Sequence, residues 1–284
     1  SGGLLIAEVL EEAGIPKGVF NVVTCSRDNV AALGDELISN PTAGGVSFTG
    51  STAVGTQVAA KAGGLLKKCC VELGGKDALI VLDDADIEHA VNAATFGSFM
   101  HQGQICMSVE RVIVHKDVAN EFIEKFVQNT KKLKVGNPRE MANCIGPIIN
   151  QKQLDKIRDQ VEDAVAKGAK VLCGGKHKGL FFEPTVLTNI TRDMKVMREE
   201  TFGPIAPVIT VGSVDEAVAV ANDSEYGLSA GIMTRNEERG LAIARRLNTG
   251  MAHINDSSVN HAPHEPFGGV PWTGLGPLGG RAGI

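Results

Sequence analysis

The sequence predicts an α/β fold built on a largely parallel sheet. Short apolar runs alternate with amphipathic stretches of about 10–15 residues along nearly the whole chain, which implies right-handed βαβ crossovers. Glycines stand where the runs change type, as at Gly50 and Gly74-Gly75. A hydrophobic content of 43% in 284 residues is enough to bury a sizeable core, in one large domain or two.

The elements follow in order. A helix is expected over 4–13, with Leu4, Leu5, Val9 and Leu10 inward, stopped by Gly14 and Pro16. "VFNVV" (19–23) is a strand candidate, and a second helix covers about 28–38. "GGVSFTG" (44–50) is a strand running into a glycine turn, followed by a helix over 51–63 that Ser51 can cap. "KKCCVEL" (67–73) and "DALIVL" (77–82) are strands on either side of Gly74-Gly75. The helix from Asp83 opens on acidic residues that suit its N-terminal dipole. Then come a strand at 110–115, a helix at 118–133, a looser stretch after Pro138, a polar helix at 151–167 and a strand at 170–173. The last units are a helix near 215–222, a strand at 228–234, a helix at 236–247 and a strand at 251–255, ending in a glycine-rich tail.

Composition narrows the function. Net charge is −5, Lys and Arg are scattered, and one Trp and one Tyr offer little for base stacking, so no nucleic-acid partner is expected. No apolar stretch of about 18 residues suggests a membrane span. The 6 Cys form no CxxC pair and the 7 His do not fall at metal-ligand spacing, so no metal is expected. Few, unpatterned cysteines suit a reducing compartment, and the cytoplasm is the expected location. The N-terminus has no basic segment and no initiator Met, and enters a helix almost at once, so entry part-way into a fold is expected.

Five segments could carry chemistry. In "SFTGSTAVG" a strand meets a helix start at Gly50 and Ser51, where free N–H groups and the helix dipole favour a phosphate, although an ordinary capped turn has the same wording. In "VELGGKD" Glu72 ends a strand before two glycines, where a partly desolvated carboxylate can act as a general base or simply sit exposed, paired with Lys76. Cys106, in "HQGQICMSVERV", lies in a loop between helix and strand. A thiol there is a nucleophile if something activates it and a small buried hydrophobe otherwise, the reading that fits Cys25, Cys69, Cys70, Cys144 and Cys173. "MREETFGPIAPV" offers an acidic pair for ribose hydroxyls and Phe202 for a planar ring. "HEPFGGVPWTGLGPLGG" can bring Phe267 to a pocket while its glycines bend the chain.

Together and in this order, these segments resemble the aldehyde dehydrogenase superfamily over essentially the whole chain, with wording most similar to bacterial benzaldehyde, vanillin and salicylaldehyde dehydrogenases. Glu72 and Cys106 stand 34 positions apart, as in that family. The resemblance implies a partial Rossmann-type dinucleotide domain over 1–74, a three-layer α/β catalytic domain over 75–255, and a tail over 256–284 that returns to the active site. It implies NAD or NADP as cofactor, a small aldehyde, here an aromatic one, as substrate, and a homo-oligomer for the full-length protein. By the same resemblance Cys106 attacks the aldehyde carbon, Glu72 activates the water that hydrolyses the thioester, and the Cys106 N–H donates to the oxyanion. Gly50, Ser51 and Gly55 hold the pyrophosphate, Leu73 and Gly74 border the nicotinamide, Glu200 holds its ribose beside Phe202, and Phe267 lines the substrate pocket.

The sequence also departs from the family pattern. The family's first dinucleotide-domain strands, its Asn-bearing oxyanion motif and the Lys that contacts the adenosine ribose are not found ahead of Ser1, and its C-terminal strand is not found after Ile284. A fragment with an unpaired strand edge and apolar helix faces is therefore expected. Pro277 stands where the family usually has Arg, and proline fixes φ and removes a donor. A scaffold that keeps the site residues without turnover, and a cysteine esterase using Cys106 and Glu72 without cofactor, are the alternatives to the dehydrogenase.

Overall fold

A computed structural model describes residues 2–270 and 272–283 of the chain. In chain order its elements are α1 (Gly2–Glu12), α2 (Val30–Ser39), β1 (Gly45–Thr49), α3 (Thr52–Gly64), β2 (Lys68–Glu72), β3 (Asp77–Val81), α4 (Ile87–Phe99), β4 (Val109–His115), α5 (Lys116–Lys132), α6 (Gln151–Ala166) and β5 (Lys170–Cys173). Then follow β6 (His177–Lys178), β7 (Phe181–Phe182), β8 (Thr185–Thr188), α7 (Lys195–Arg198), β9 (Ile205–Val211), α8 (Val214–Asn222), β10 (Ser229–Met233), α9 (Glu237–Ala244), β11 (Met251–Ile254) and β12 (Gly274–Leu275).

The residues group into two units, 1–46 with 60–68 and 47–59 with 69–284. In the first, two expectations are corrected. α1 forms, but no described residue of it is buried: Leu4, Leu5 and Val9 face outward, because nothing within the unit covers that side. Residues 19–23 form no strand, and Val19, Phe20 and Val23 are exposed. A strand is completed by a neighbour's hydrogen bonds, and no described strand pairs with this run.

The second unit holds a seven-stranded sheet in the order β11-β10-β3-β4-β9-β8-β5. Its pairings are parallel from β11 to β8, and β5 closes the edge antiparallel to β8. Helices cover both faces. Leu79, Val81, Val112 and Val114 pack with Ala90, Val91 and Ala94 of α4 and Phe122 and Phe126 of α5. On the other face Ala78, Ile80 and Ile113 pack with Ala217 and Val218 of α8 and Ile243 of α9. This is the three-layer α/β arrangement that continuous apolar strands require, since a sheet buried on both sides has no polar face. A further core gathers Leu154, Ile157 and Val161 of α6 with Phe182, Leu187 and Ile205.

Side chains cap several helix starts. Asp86 caps α4 by accepting from His89 N at 3.1 Å, and Asn150, Ser213 and Asn236 cap α6, α8 and α9 in the same way. α4 is shorter than its sequence pattern. It ends at Phe99, and His101, Gln102 and Gly103 follow in left-handed conformation at φ 50°, 59° and 66°. At Gly103 a side chain would also collide with the Gly203 carbonyl, so the glycine is needed for both its φ and its bareness.

Candidate active site

The segments singled out in the sequence converge where the carboxyl end of β2 meets the amino ends of β3, β4 and β9. Glu72 ends its strand as expected, being the last residue of β2. Gly50 and Ser51 likewise follow the carboxyl end of β1, whereas Gly74-Gly75, Cys106 and Glu200 all precede the strands they lead into.

Gly75 is the hinge of the arrangement. A side chain there would strike the Cys106 carbonyl, and its N–H donates to Glu200 Oε1 at 3.1 Å. A Cβ on Gly74 would lie 2.9 Å from the same Glu200 oxygen and 3.1 Å from the Tyr226 ring. The two glycines thus let the Glu72 strand end, the Cys106 loop and the Glu200 loop approach at backbone distance.

Glu72 is 4% exposed, and neither carboxylate oxygen has a hydrogen-bond partner among the described residues. It is not paired with Lys76, and it is not exposed. Burial pushes its pKa up to about 7. β12 pairs antiparallel with β2, placing Gly274 opposite Glu72, and a Cβ on Gly268 would lie 3.4 Å from Glu72 Oε1. The tail therefore returns over Glu72, with Gly268 and Gly274 beside the carboxylate.

Cys106 is half-buried. Burial pushes its thiol up to about 11, the nearby acids Asp77, Glu200 and Glu72 add to the rise, and a hydrogen bond from the Met107 N–H opposes it. The resting sulfur is a neutral thiol at neutral pH, so it needs a base to react. The Cys106 N–H has no acceptor among the described residues and is free to donate. Cys25 and Cys144 are exposed, which corrects their reading as buried thiols: both lie in irregular chain outside the cores. Cys69 and Cys70 are both half-buried, and neither faces a core fully.

The candidate cofactor residues fall into two groups. At the phosphate turn the Gly50 N–H donates to the Glu72 carbonyl at 3.0 Å, and the N–H groups of Val54 and Gly55 turn back to the Ser51 carbonyl. The first N–H groups of α3, beginning at Thr52, lack intrahelical partners. Gly55 leaves no room for a side chain because Leu73 packs onto it. In the second group Glu200 is half-buried with its pKa raised to about 7, chiefly by burial and then by Glu110. Phe202 follows at φ 52°. Glu199, the other half of the acidic pair, is exposed. Open N–H groups at a helix start and a carboxylate with one oxygen unused suit a pyrophosphate and a ribose, so these residues fit a nicotinamide dinucleotide.

A buried charged network, which sequence reasoning missed, holds this second group. Lys76 is 0% exposed along its side chain and donates to Glu110 Oε2 at 2.7 Å and Thr201 Oγ1 at 3.1 Å. Glu110 accepts from Thr201 N at 2.7 Å and Phe202 N at 2.8 Å. Arg111 donates to the carbonyls of Lys76, Val220 and Ala221, and Gln153 to those of Thr201 and Phe202. The signal was present in the sequence: charged residues at 76, 77, 110 and 111 border continuous apolar strands, where a charge must be paired. Phe267 is half-buried, exchanges backbone hydrogen bonds with Leu278, and meets the His261 ring edge-on at 5.0 Å. Among the described residues no group of His, Cys, Asp and Glu could hold a metal, and no helix is long and apolar enough to cross a membrane.

The model of the aldehyde dehydrogenase family matches residues 2–284. The chain is 45% identical over 285 residues to a benzaldehyde dehydrogenase [NAD(+)] of Pseudomonas putida, covering 100% of this chain and 58% of that protein. It is 46% identical over 275 residues to a vanillin dehydrogenase of an Amycolatopsis species, covering 97% of this chain and 56% of that protein. The crystal structure of a salicylaldehyde dehydrogenase from Pseudomonas putida G7, complexed with salicylaldehyde, superposes with a TM-score of 0.94 at 45% identity, covering 98% of this chain and 58% of that one. The chain thus spans a little over half the length of the relatives it matches.

Proposed function

Since the chain belongs to the aldehyde dehydrogenase family, we propose that it carries the thiol and general-base chemistry of an NAD(P)-dependent oxidation of an aldehyde, aromatic in class, to its carboxylic acid. The observation that carries this is the unpartnered, buried Glu72 carboxylate within electrostatic reach of the half-buried Cys106. A structural carboxylate would be hydrogen-bonded, since an unsatisfied buried group costs about 1–3 kcal/mol. The aromatic class rests on the relatives, whose names specify benzaldehyde, vanillin and salicylaldehyde.

Cys106 Sγ bonds to the aldehyde carbon as its proton passes to solvent, and Glu72, whose pKa of about 7 suits a general base at neutral pH, serves the water of the second step. The Cys106 N–H donates to the oxygen that gains negative charge, a contact worth ~10²–10³ in rate where one such donor has been removed elsewhere. The nicotinamide, when bound, supplies the acceptor for the hydride that leaves the substrate carbon. Glu72 then takes a proton from water, whose oxygen bonds to the thioester carbon, and the C–S bond breaks to release the acid and the Cys106 thiolate. Gly50, Ser51 and Gly55 form the pyrophosphate turn, Leu73 and Gly74 border the nicotinamide, Glu200 takes a ribose hydroxyl, and Phe202 and Phe267 flank cofactor and substrate.

Trapping tests the proposal. Glu72→Gln protein given benzaldehyde and NAD is expected to accumulate a benzoyl group on Cys106, visible by peptide mass spectrometry, because the acyl group forms and is not hydrolysed. No adduct, or an adduct on another residue, would sink the assignment.

A further inference from the structure

The chain has 1 Tyr, and the proposed chemistry gives it no role. Tyr226 lies half-buried in the loop between α8 and β10. Its ring faces the bare Cα of Gly74: a Cβ there would lie 3.1 Å from Tyr226 Cε1 and 2.9 Å from Glu200 Oε1. Its hydroxyl is within hydrogen-bonding reach of the side chain of Thr52, the first residue of α3. One side chain thus touches both groups of candidate cofactor residues. The Gly74–Glu200 corner meets its ring, and the start of the phosphate-turn helix meets its hydroxyl.

The backbone holds the ring there. The Tyr226 N–H donates to Ser224 Oγ at 3.1 Å. The next N–H, of Gly227, donates to Thr273 Oγ1 at 2.9 Å, and the Gly227 carbonyl accepts from the N–H groups of Gly250 and Val270 at 3.1 and 2.9 Å. The Thr273 carbonyl accepts from the Leu73 N–H at 2.6 Å. Fully buried Thr273 therefore ties the Tyr226 loop to the segment that leads into Gly74. A side chain at Gly227 would strike the Asn248 carbonyl, so the loop is also packed tightly from behind.

A tyrosine suits this place physically. Burial pushes its pKa up, the Glu200 carboxylate adds to the rise, and the contact with Thr52 opposes it. The phenol stays neutral at neutral pH and brings no negative charge to a helix start that suits a phosphate. A rigid ring spans the gap at a low cost in conformational entropy, whereas a long flexible side chain would first have to be ordered. In a nicotinamide dinucleotide the ribose and the pyrophosphate are covalently joined. Both gain from that link only if their subsites stand at the matching distance.

We propose that Tyr226 is a positioning residue for the cofactor: braced between Thr52 and the Gly74–Glu200 corner, it sets the spacing of the pyrophosphate and ribose subsites. The proposal rests on the dehydrogenase reading and adds a residue to its cofactor site.

Binding and turnover test it together. Protein labelled with ¹³C at the tyrosine ring ε carbons gives one ring signal by NMR, because it holds 1 Tyr. That signal should move with the tighter-binding of NADH and NADPH, with ADP and with reduced nicotinamide mononucleotide. Silence toward the dinucleotide or toward either half overturns the proposal, and this arm needs no variant. Tyr226→Phe keeps the ring and loses the reach to Thr52. Its affinity for the dinucleotide, read by nicotinamide fluorescence, is expected to fall about threefold to tenfold, the range of one hydrogen bond. Affinities for ADP and the mononucleotide should change by less than about twofold, since each half can settle in its own subsite. KM for the dinucleotide should rise in step, with kcat and the aldehyde KM within about twofold of wild type. Thr52→Val should lose the same factor, and the double variant no more. An unchanged dinucleotide affinity, a loss shared equally by the two halves, or additive losses in the double variant overturns the proposal. Dinucleotide binding with no oxidation of any aldehyde would sink the dehydrogenase reading instead, with the brace decided by the binding arms. No binding of either dinucleotide would overturn both.

Discussion

At Glu72 the sequence allowed two opposite fates, a surface carboxylate paired with Lys76 or a desolvated base, and the structure shows the second environment. A stability prediction follows from its raised pKa. A carboxyl whose folded pKa exceeds its unfolded one stabilises the fold in its protonated form. That contribution is complete below the unfolded value near 4.5 and is lost as pH rises through about 7. Above that pH the bare carboxylate costs about 3 kcal/mol. Glu72→Gln is expected to stabilise the protein by about 2–3 kcal/mol at pH 8 and by little at pH 4.5, measured by urea unfolding at both. Equal stabilisation at the two values would show that Glu72 titrates normally. The same residue sets the pH dependence of turnover: because its ionised form acts, the rate should fall as pH drops below about 7. That limb should vanish from the residual rate of Glu72→Gln, and its persistence would assign it to another group.

Between elements, the buried network outweighs any surface pair. Lys76, at the start of β3, and Glu110, on β4, together fix the Thr201–Phe202 backbone in front of β9. Removing one partner strands a buried charge, so Lys76→Met or Glu110→Gln should each cost about 3–5 kcal/mol. A double-mutant cycle should show the pair strongly coupled, the joint loss falling well short of the two single losses added. Additive losses would mean the two residues act separately. The turn before Cys106 is the second inter-element device. Gly103→Ala is expected to destabilise by about 2 kcal/mol or more, since φ is 66° and the added methyl meets the Gly203 carbonyl. Chemical denaturation measures it, and a neutral result would mean that the left-handed turn is not held. Neither feature was legible locally. "GQIC" shows a glycine but not its φ, and "SVERV" shows charges but not that they lie inside.

Across the whole molecule, burial is uneven. β3 and β4 lie in the middle of the seven-stranded sheet, with Leu79, Ile80, Val112 and Ile113 fully buried, whereas α1 has no buried described residue. Amide hydrogen exchange should be slowest in β3 and β4 and fastest in α1 and 19–26, because local opening is cheap where little apolar contact is lost. Slow exchange across α1 would overturn that ranking.

The alternation of apolar runs and amphipathic stretches, the glycine turns and the wording around Glu72, Cys106 and Glu200 determined the α/β class, the order of most elements and the family, because these signals are local along the chain; β8 and β9, two strands of the main sheet, were not read from it. Only the tertiary structure decided that 19–23 forms no strand, that Glu72 is buried and bare, that Lys76 pairs with Glu110, and that the candidate site gathers at the amino ends of the sheet strands. A strand needs a neighbour to bond, a carboxylate shifts only when its surroundings exclude water, and a buried lysine takes the partner that folding brings within reach. Each of these depends on residues distant in sequence, and the local pattern around a residue does not contain them.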